Sequence, residues 1–154
     1  MGMGLPLLVL LPALLVTACL PTQEQAGGEA SDSGTLAVIP LQIGTHHLTA
    51  EVADTADLRA RGLMFRESLP PDHGMLFVWE QPEPVAMWML NTPLPLSVAF
   101  IDEEGQILNI ARMQPHSRTL HHSTGAARYA LEMRRGWFQD HGVQSGQTVT
   151  GLPR

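Results

Sequence analysis

The chain has 154 residues and a net charge of −6, and all nine of its basic residues are arginine. A face that binds nucleic acid needs clustered positive charge, so this composition argues against nucleic acid as a partner. The chain has a single cysteine, Cys19, which excludes both an intramolecular disulfide and a metal site built from several thiolates.

The first 18 residues are typical of an export signal. They carry no charged side chain, and residues 5–16 are almost wholly apolar. A membrane-spanning helix needs about 20 apolar residues, and this run is shorter. We therefore expect a signal peptide that is cleaved off rather than a permanent membrane helix. The letters VTAC at 16–19 resemble a bacterial lipobox, which predicts a lipoprotein signal peptide over residues 1–18 and a lipid on Cys19. The alternative is an ordinary secretory signal followed by a chance cysteine.

Residues 19–34 are predicted to form a flexible linker that begins at the lipid-modified cysteine. The segment is rich in glycine, serine, threonine and glutamine and has no hydrophobic period. Such a linker has a root-mean-square reach on the order of 20 Å. We therefore expect the protein to be attached to a membrane of the bacterial cell envelope through Cys19 and to face the periplasm. The absence of an aspartate directly after Cys19 favours the outer membrane.

Residues 35–154 have the length of one globular domain. Continuous and period-2 apolar runs predict strands at 36–43, 48–53, 75–79, 85–90, 96–101, 106–113, 129–133 and 147–150. Short helices are predicted over 56–63, capped by Asp54 or Thr55, and over 135–141, stopped by Gly142. These elements predict a β-rich α+β domain with a curled or barrel-like, mainly antiparallel sheet and two short helices.

Four blocks of this domain are distinctive in sequence. They are RARGLMFRESLP at 59–70, HGMLFVW at 73–79, MWMLNTPLPLSVAFIDEEGQILNI at 87–110 and ALEMRRGWF at 130–138. In these blocks the chain resembles the prokaryotic family known as domain of unknown function 192. The resemblance implies a small, single-domain, β-rich fold that is often exported, and it implies neither a reaction nor a cofactor. No cofactor is predicted.

Three arginines, Arg59, Arg61 and Arg66, flank a Gly-Leu-Met turn at the end of the first helix. A guanidinium group suits bidentate recognition of a carboxylate or a phosphate. Arg66 is the preferred ligand-binding candidate because it follows the helix, where its side chain can turn toward a pocket. The alternative is a structural salt bridge with one of the nearby acids Glu51, Asp54 or Glu67.

Trp88, Asn91 and Thr92 lie where a predicted strand meets a proline-rich loop. Loop residues held by a rigid sheet are favoured for binding, and an indole beside an amide and a hydroxyl can bind a flat polar ligand. The alternative is that Asn91 and Thr92 only close the turn through bonds to the backbone.

The domain also contains several methionines, of which Met87 and Met89 share one face of a regular strand. Soft sulfur ligands select Cu(I), so this pair is a candidate copper site. The alternative is that these side chains fill irregular gaps in the core.

Catalytic motifs are less evident, since there is no G-x-S-x-G sequence and no serine stands at a fixed spacing from a base. Asp102 and Glu132 are the one acidic pair that fits a hydrolase acting on an envelope polymer. Whether the protein is an enzyme is left open. The leading hypothesis is a module that binds a small ligand or an envelope polymer, with Arg66, Trp88, Asn91 and Thr92 lining one hollow.

Overall fold

The computed structural model describes residues 1–2 and 36–154. Apart from Met1 and Gly2, the predicted signal peptide lies outside the described residues, and so do Cys19 and the predicted linker. Among the residues described, no helix is both long enough and apolar enough to cross a membrane.

One sheet of seven strands accounts for most of the described chain. Its strands are β1 (Val38–Ile43), β2 (His46–Ala53), β3 (His73–Met87), β4 (Leu96–Ile101), β5 (Ile107–Arg112), β6 (His121–Arg134) and β7 (Val149–Thr150). The helices are α1 (Ala56–Arg61), between β2 and β3, and α2 (Trp137–Asp140), between β6 and β7.

The strand order in the sheet is β5-β4-β6-β3-β2-β1-β7. Among the described strands, only β2 and β3 pair in parallel, since α1 and its flanking loops carry the chain back to the same end of the sheet. The sheet curls, and an isolated bridge between Gln106 and Thr148 brings its two ends together. The predicted class, a β-rich α+β domain with a curled, mainly antiparallel sheet and two short helices, is confirmed.

The prediction of two separate strands at 75–79 and 85–90 is wrong, because β3 runs without a break from His73 to Met87. Two prolines, Pro82 and Pro84, lie inside it. They are tolerated because β2 pairs only with the first part of β3, up to Phe77, so the later part is an edge on that side. Proline is accommodated at sheet edges and at bulges, and the pairing with β6 shifts register here.

The strand predicted at 129–133 is also longer than expected. Residues 121–127 extend β6 as an arm that pairs only with the outer part of β3. Most of this arm is exposed, so it lacks the apolar pattern on which the prediction depended.

Both predicted helices form, and each is shorter than predicted. Thr55 caps α1, its hydroxyl accepting a hydrogen bond from the backbone N–H of Leu58 at 3.2 Å. After α2, Gly142 adopts a left-handed φ of 63°. The N–H of Val143 then donates to the carbonyl of Phe138 at 2.8 Å, and the Val143 side chain is buried. This is the hydrophobic stop expected after a short helix.

The two faces of the sheet bury different clusters, since successive side chains of a strand point to opposite faces. One cluster, here called the Trp137 core, comprises Leu41, Ile43, Leu48, Ala50, Leu76, Ala99, Ile101, Ile107, Tyr129, Leu131, Met133, Trp137, Phe138, Val143 and Val149. The other, here called the methionine core, comprises Ala53, Leu63, Met75, Phe77, Val85, Met87, Met89, Leu96, Val98, Phe100, Met113, Ala127 and Ala130.

Candidate functional site

A cavity of about 300 Å³ opens on the methionine face of the sheet. It is here called the Glu132 cavity. It is lined by residues of α1, of the turn after α1, of β3 and its following loop, and of β6. These residues are Arg59, Ala60, Arg61, Gly62, Leu63, Met64, Phe77, Trp79, Ala86, Met87, Trp88, Thr92 and Glu132.

Glu132 lies on β6, the strand between β3 and β4, opposite Met75 on one side and Val98 on the other. Its side chain shares the face of the methionine core, and the residue is only 3% exposed. Burial raises the pKa of this carboxyl from 4.5 to about 8, and desolvation is the cause. The carboxyl is therefore largely protonated at neutral pH.

Within residues 36–154 no hydrogen bond or nearby charge offsets the burial of Glu132. A buried carboxyl usually has a partner, because burying an unpaired polar group costs free energy. A titratable group with a strongly shifted pKa in a cavity is a candidate for function. Protonated, it can donate one hydrogen bond to a ligand or supply a proton.

Arg59 forms part of the cavity wall and is held in place. Its Nη1 donates to the backbone carbonyls of Asp54 at 2.7 Å and Val78 at 2.8 Å. Its guanidinium lies 5.6 Å from the ring centroid of Trp79, within the range of a cation–π contact. Trp79 in turn stacks on Phe77 with centroids 6.4 Å apart. The arginine and the two rings thus form a fixed wall.

Arg61, in the last turn of α1, is exposed and also lines the cavity. Among the described residues it forms no ion pair with an acid, and neither does Arg59. The cavity therefore has two guanidinium groups without a carboxylate partner in the described part of the chain, and one carboxyl that burial keeps largely neutral.

The preferred candidate from the sequence, Arg66, is placed elsewhere. Its two terminal nitrogens donate to the two carboxylate oxygens of Glu51 at 2.6 and 2.5 Å. These hydrogen bonds raise the pKa of Arg66. Arg66 is not among the residues that line the cavity, and it makes the structural salt bridge that was the alternative interpretation.

The loop after β3 contributes two of its three predicted residues to the cavity. Trp88, 43% exposed, and Thr92, 5% exposed, line it, whereas Asn91 does not. Asn91 has a left-handed φ of 53°, and its carbonyl accepts a hydrogen bond from the N–H of Phe65 at 2.8 Å. The Thr92 hydroxyl donates to the carbonyl of Leu90 at 3.1 Å. Thr92 therefore both lines the cavity and closes the turn through its hydroxyl, whereas the Asn91 contact with Phe65 is made by its backbone carbonyl.

The acidic pair proposed for hydrolysis is not brought together. Asp102 follows β4, and its Oδ1 accepts a hydrogen bond from the backbone N–H of Gln106 at 2.7 Å, which closes the turn into β5. Glu132 is opposite Val98, four residues earlier on β4. At a rise of roughly 3.3 Å per residue, the two acids are about 13 Å apart along the strand. That exceeds the separation of carboxyls in either type of glycosidase.

The two predicted copper ligands also separate. Met87 lines the cavity, while Met89 is fully buried in the methionine core and does not line it. A different methionine, Met64, lines the cavity instead. Residues 36–154 contain no cluster of three or more histidines, aspartates or glutamates able to hold a metal ion.

Two proteins are among those whose solved structures resemble this chain. One, a proposed transcription regulator from Sinorhizobium meliloti 1021, is 38% identical, with a TM-score of 0.74 over 75% of this chain and 95% of that chain. The other, a protein of unknown function from Novosphingobium aromaticivorans DSM 12444, is 31% identical, with a TM-score of 0.73 over 76% of this chain and 87% of that chain.

No curated protein matches the chain. The model of the family described as Uncharacterized ACR, domain of unknown function 192, matches residues 39–151. This match spans the sheet from the second residue of β1 to the end of β7, together with the residues that line the Glu132 cavity. The chain therefore belongs to the family known as domain of unknown function 192.

Proposed function

We propose that this protein is a lipid-anchored component of the bacterial cell envelope whose domain binds a small ligand in the Glu132 cavity. The observation that carries the proposal is the buried Glu132 carboxyl, which has no hydrogen-bond partner within residues 36–154 and lines a cavity walled by aromatic and methionine residues. Sites for small molecules are typically concave and mostly apolar, with a few polar groups that orient the ligand. The cavity has this composition.

The membrane part of the proposal depends on the sequence of residues 1–34. The lipobox-like letters VTAC at 16–19 end an apolar segment, and a polar linker separates Cys19 from the domain. Metabolic labelling with a fatty-acid analogue in a bacterial host tests this part. The wild-type chain is expected to incorporate the label and Cys19→Ala is expected not to. Equal labelling of the two would contradict lipid attachment at Cys19.

Binding is tested by thermal denaturation of the full chain against small carboxylates, phosphates, sugars and amines. A ligand of the cavity raises the melting temperature because it binds the folded state alone. Ala86→Trp places an indole at an exposed position that lines the cavity and is expected to abolish the shift. Ala126→Trp, at an exposed position outside the lining, is the matched control and should retain it. A shift that survives Ala86→Trp would locate binding elsewhere.

A Cu(I) site is a second candidate, because Met64 and Met87 line the same cavity. Thioether ligands favour Cu(I) over harder metal ions. Titration with Cu(I) under anaerobic conditions should give stoichiometric uptake that Met64→Leu reduces. Uptake unchanged in Met64→Leu, or absent from the wild type, would remove this candidate.

A further inference from the structure

We infer that the ligand of the Glu132 cavity is an anion with a flat ring, whose negative group binds Arg61 and whose ring lies between the tryptophans. This inference deepens the proposed function and rests on it. Three observations support this ligand class: the charge of the cavity, the contacts of its two arginines, and the walls and volume of the cavity.

The first support is charge. Of the thirteen residues that line the cavity, the charged or titratable ones are Arg59, Arg61 and Glu132. Because Glu132 is buried and largely neutral, it does not offset the two guanidinium groups at neutral pH. The cavity is therefore positive in a chain whose net charge is −6. A locally positive cavity favours an anionic ligand.

The second support is that Arg59 and Arg61 differ in their hydrogen bonds within the described residues. Arg59 already donates to two backbone carbonyls and lies against the Trp79 ring. Arg61 has no ion pair within residues 36–154, so its donors are available for a carboxylate or a phosphate. Arg61 is therefore the residue assigned to the anion, and Arg59 holds the wall.

The third support is the shape and size of the cavity. Trp79 and Trp88 line it with apolar residues of β3 and the turn after α1, including Phe77 and Met87. An apolar cavity of roughly 150 Å³ accepts benzene. A cavity of about 300 Å³ has room for a fused pair of rings together with a polar substituent. Aromatic ligands stack on or pack edge-to-face against indole rings.

The Glu132 carboxyl then faces an uncharged part of the ligand, to which its proton is donated. Ionisation of Glu132 would place a second negative charge in the cavity beside the ligand. The other charged groups around Glu132 are Arg59 and Arg61 on α1, the Glu51–Arg66 pair two strands away, and Arg134 farther along β6. The adjacent positions on β3 and β4 are Met75 and Val98, which carry no charge. Binding of the anion is therefore expected to weaken as Glu132 ionises.

Three naphthalenes that share one ring system and differ in charge test this inference. They are 2-naphthoate, which is anionic, 2-naphthamide, which is neutral, and 2-naphthylmethylammonium, which is cationic. Their dissociation constants for the full chain are measured by calorimetry near neutral pH. We expect 2-naphthoate to bind at least roughly tenfold more tightly than the ammonium compound, a difference of about 1.4 kcal/mol. Tighter binding of the ammonium compound would overturn the assignment of an anion.

Arg61→Ala identifies the group that binds the anion. It is expected to weaken 2-naphthoate binding roughly tenfold and to change 2-naphthamide binding less than about twofold. Arg134→Ala removes an exposed arginine outside the cavity and is the matched control, expected to leave both affinities unchanged. Equal losses in Arg61→Ala and Arg134→Ala would show a general charge effect and overturn the role of Arg61.

The pH dependence supplies an independent measurement. In the wild type, 2-naphthoate affinity should fall between about pH 7 and about pH 9, as Glu132 ionises, whereas Glu132→Gln should bind equally well at both values. The same fall in both proteins would overturn the role of Glu132. If no naphthalene binds, the inferred ligand class fails. The proposed function then still stands if another compound produces a shift that Ala86→Trp abolishes.

Discussion

Neighbouring residues on β6 show how the two faces of the sheet differ. Leu131 points into the Trp137 core, where the Trp137 Nε1–H donates to Asp72 at 2.7 Å and the Tyr129 hydroxyl donates to the Pro153 carbonyl at 2.6 Å. Glu132 points to the opposite face, where its carboxyl has no such partner within residues 36–154. The face of the Trp137 core thus pairs these polar groups, while the face of the methionine core retains a buried carboxyl that lowers stability and lines a cavity. Such local costs are typical of functional sites.

Leu131→Ala should cause the largest loss of stability. The Leu131 side chain is fully buried, so its loss removes apolar contacts and leaves a cavity in the Trp137 core. We expect the free energy of unfolding to fall by about 2–5 kcal/mol in denaturant titrations. Leu120→Ala, at an exposed position, is the control and should change it by less than about 0.5 kcal/mol. A similarly small effect of Leu131→Ala would remove the distinction between the faces.

Glu132→Gln should instead increase the free energy of unfolding at alkaline pH. The pKa of Glu132 is raised from 4.5 to about 8, so the folded state retains a proton that the unfolded state has lost. The stability of the wild type therefore falls as pH rises between these values, and glutamine removes this dependence. We expect a gain of several kcal/mol above about pH 8, since each unit of pKa shift corresponds to about 1.4 kcal/mol, and little change below about pH 4.5.

Denaturant titrations across this pH range measure the effect of Glu132→Gln. Glu104→Gln, which alters an exposed acid in the turn after β4, is the matched control and should leave the pH profile unchanged. A Glu132→Gln protein that is less stable than the wild type at alkaline pH would show that the ionised carboxyl has a stabilising partner in the folded protein.

The ion pair between Arg66 and Glu51 should contribute less to the free energy of unfolding than either of the buried side chains, Leu131 and Glu132, affects it. Its geometry is bidentate, but the side chains are 36% and 24% exposed, so water screens the attraction. A double-mutant cycle with Arg66→Ala and Glu51→Ala is expected to give a coupling energy of about 1 kcal/mol, reduced at high salt. Loss of ligand binding in Arg66→Ala at unchanged stability would instead indicate a direct role in the site.

Trp88→Ala should have the smallest effect on stability, because the side chain is 43% exposed. We expect a change of about 0.5 kcal/mol in the free energy of unfolding. Binding of 2-naphthoate should nevertheless weaken severalfold, because one aromatic wall is lost. Phe65→Ala, which removes another exposed aromatic residue outside the lining, should leave binding unchanged. Equal losses of binding in the two variants would mean that Trp88 does not form a specific wall.

Local signals in the sequence predicted much of the fold. The apolar runs at 96–101 and 106–113 predicted β4 and β5, and the cap predicted at Asp54 or Thr55 marked the start of α1. The length of β3 could not be predicted in the same way. Pro82 and Pro84 indicate a break, and only the absence of β2 from that side explains why they are tolerated.

The site was less accessible to such reasoning because it depends on which distant residues meet. Trp88 and Thr92 were predicted to line a pocket and do so, but Arg66 was assigned there without knowledge that Glu51 lies within hydrogen-bond distance. The burial of Glu132 had a local signal, a single acid inside the apolar run at 129–133. Its place in the same cavity as Arg61 could not be predicted without the pairing of β6 with β3 and β4.

The most direct test of the difference between the two faces is the ionisation of Glu132 itself. The ¹³C chemical shift of its side-chain carboxyl, assigned by comparison with Glu132→Gln, can be followed by NMR as pH is raised. We expect the transition near the pKa of about 8, and we expect it to move upward when 2-naphthoate is bound. A transition near the ordinary glutamate pKa of about 4.3 would mean that the carboxyl is solvated or paired, and it would contradict the account of this cavity.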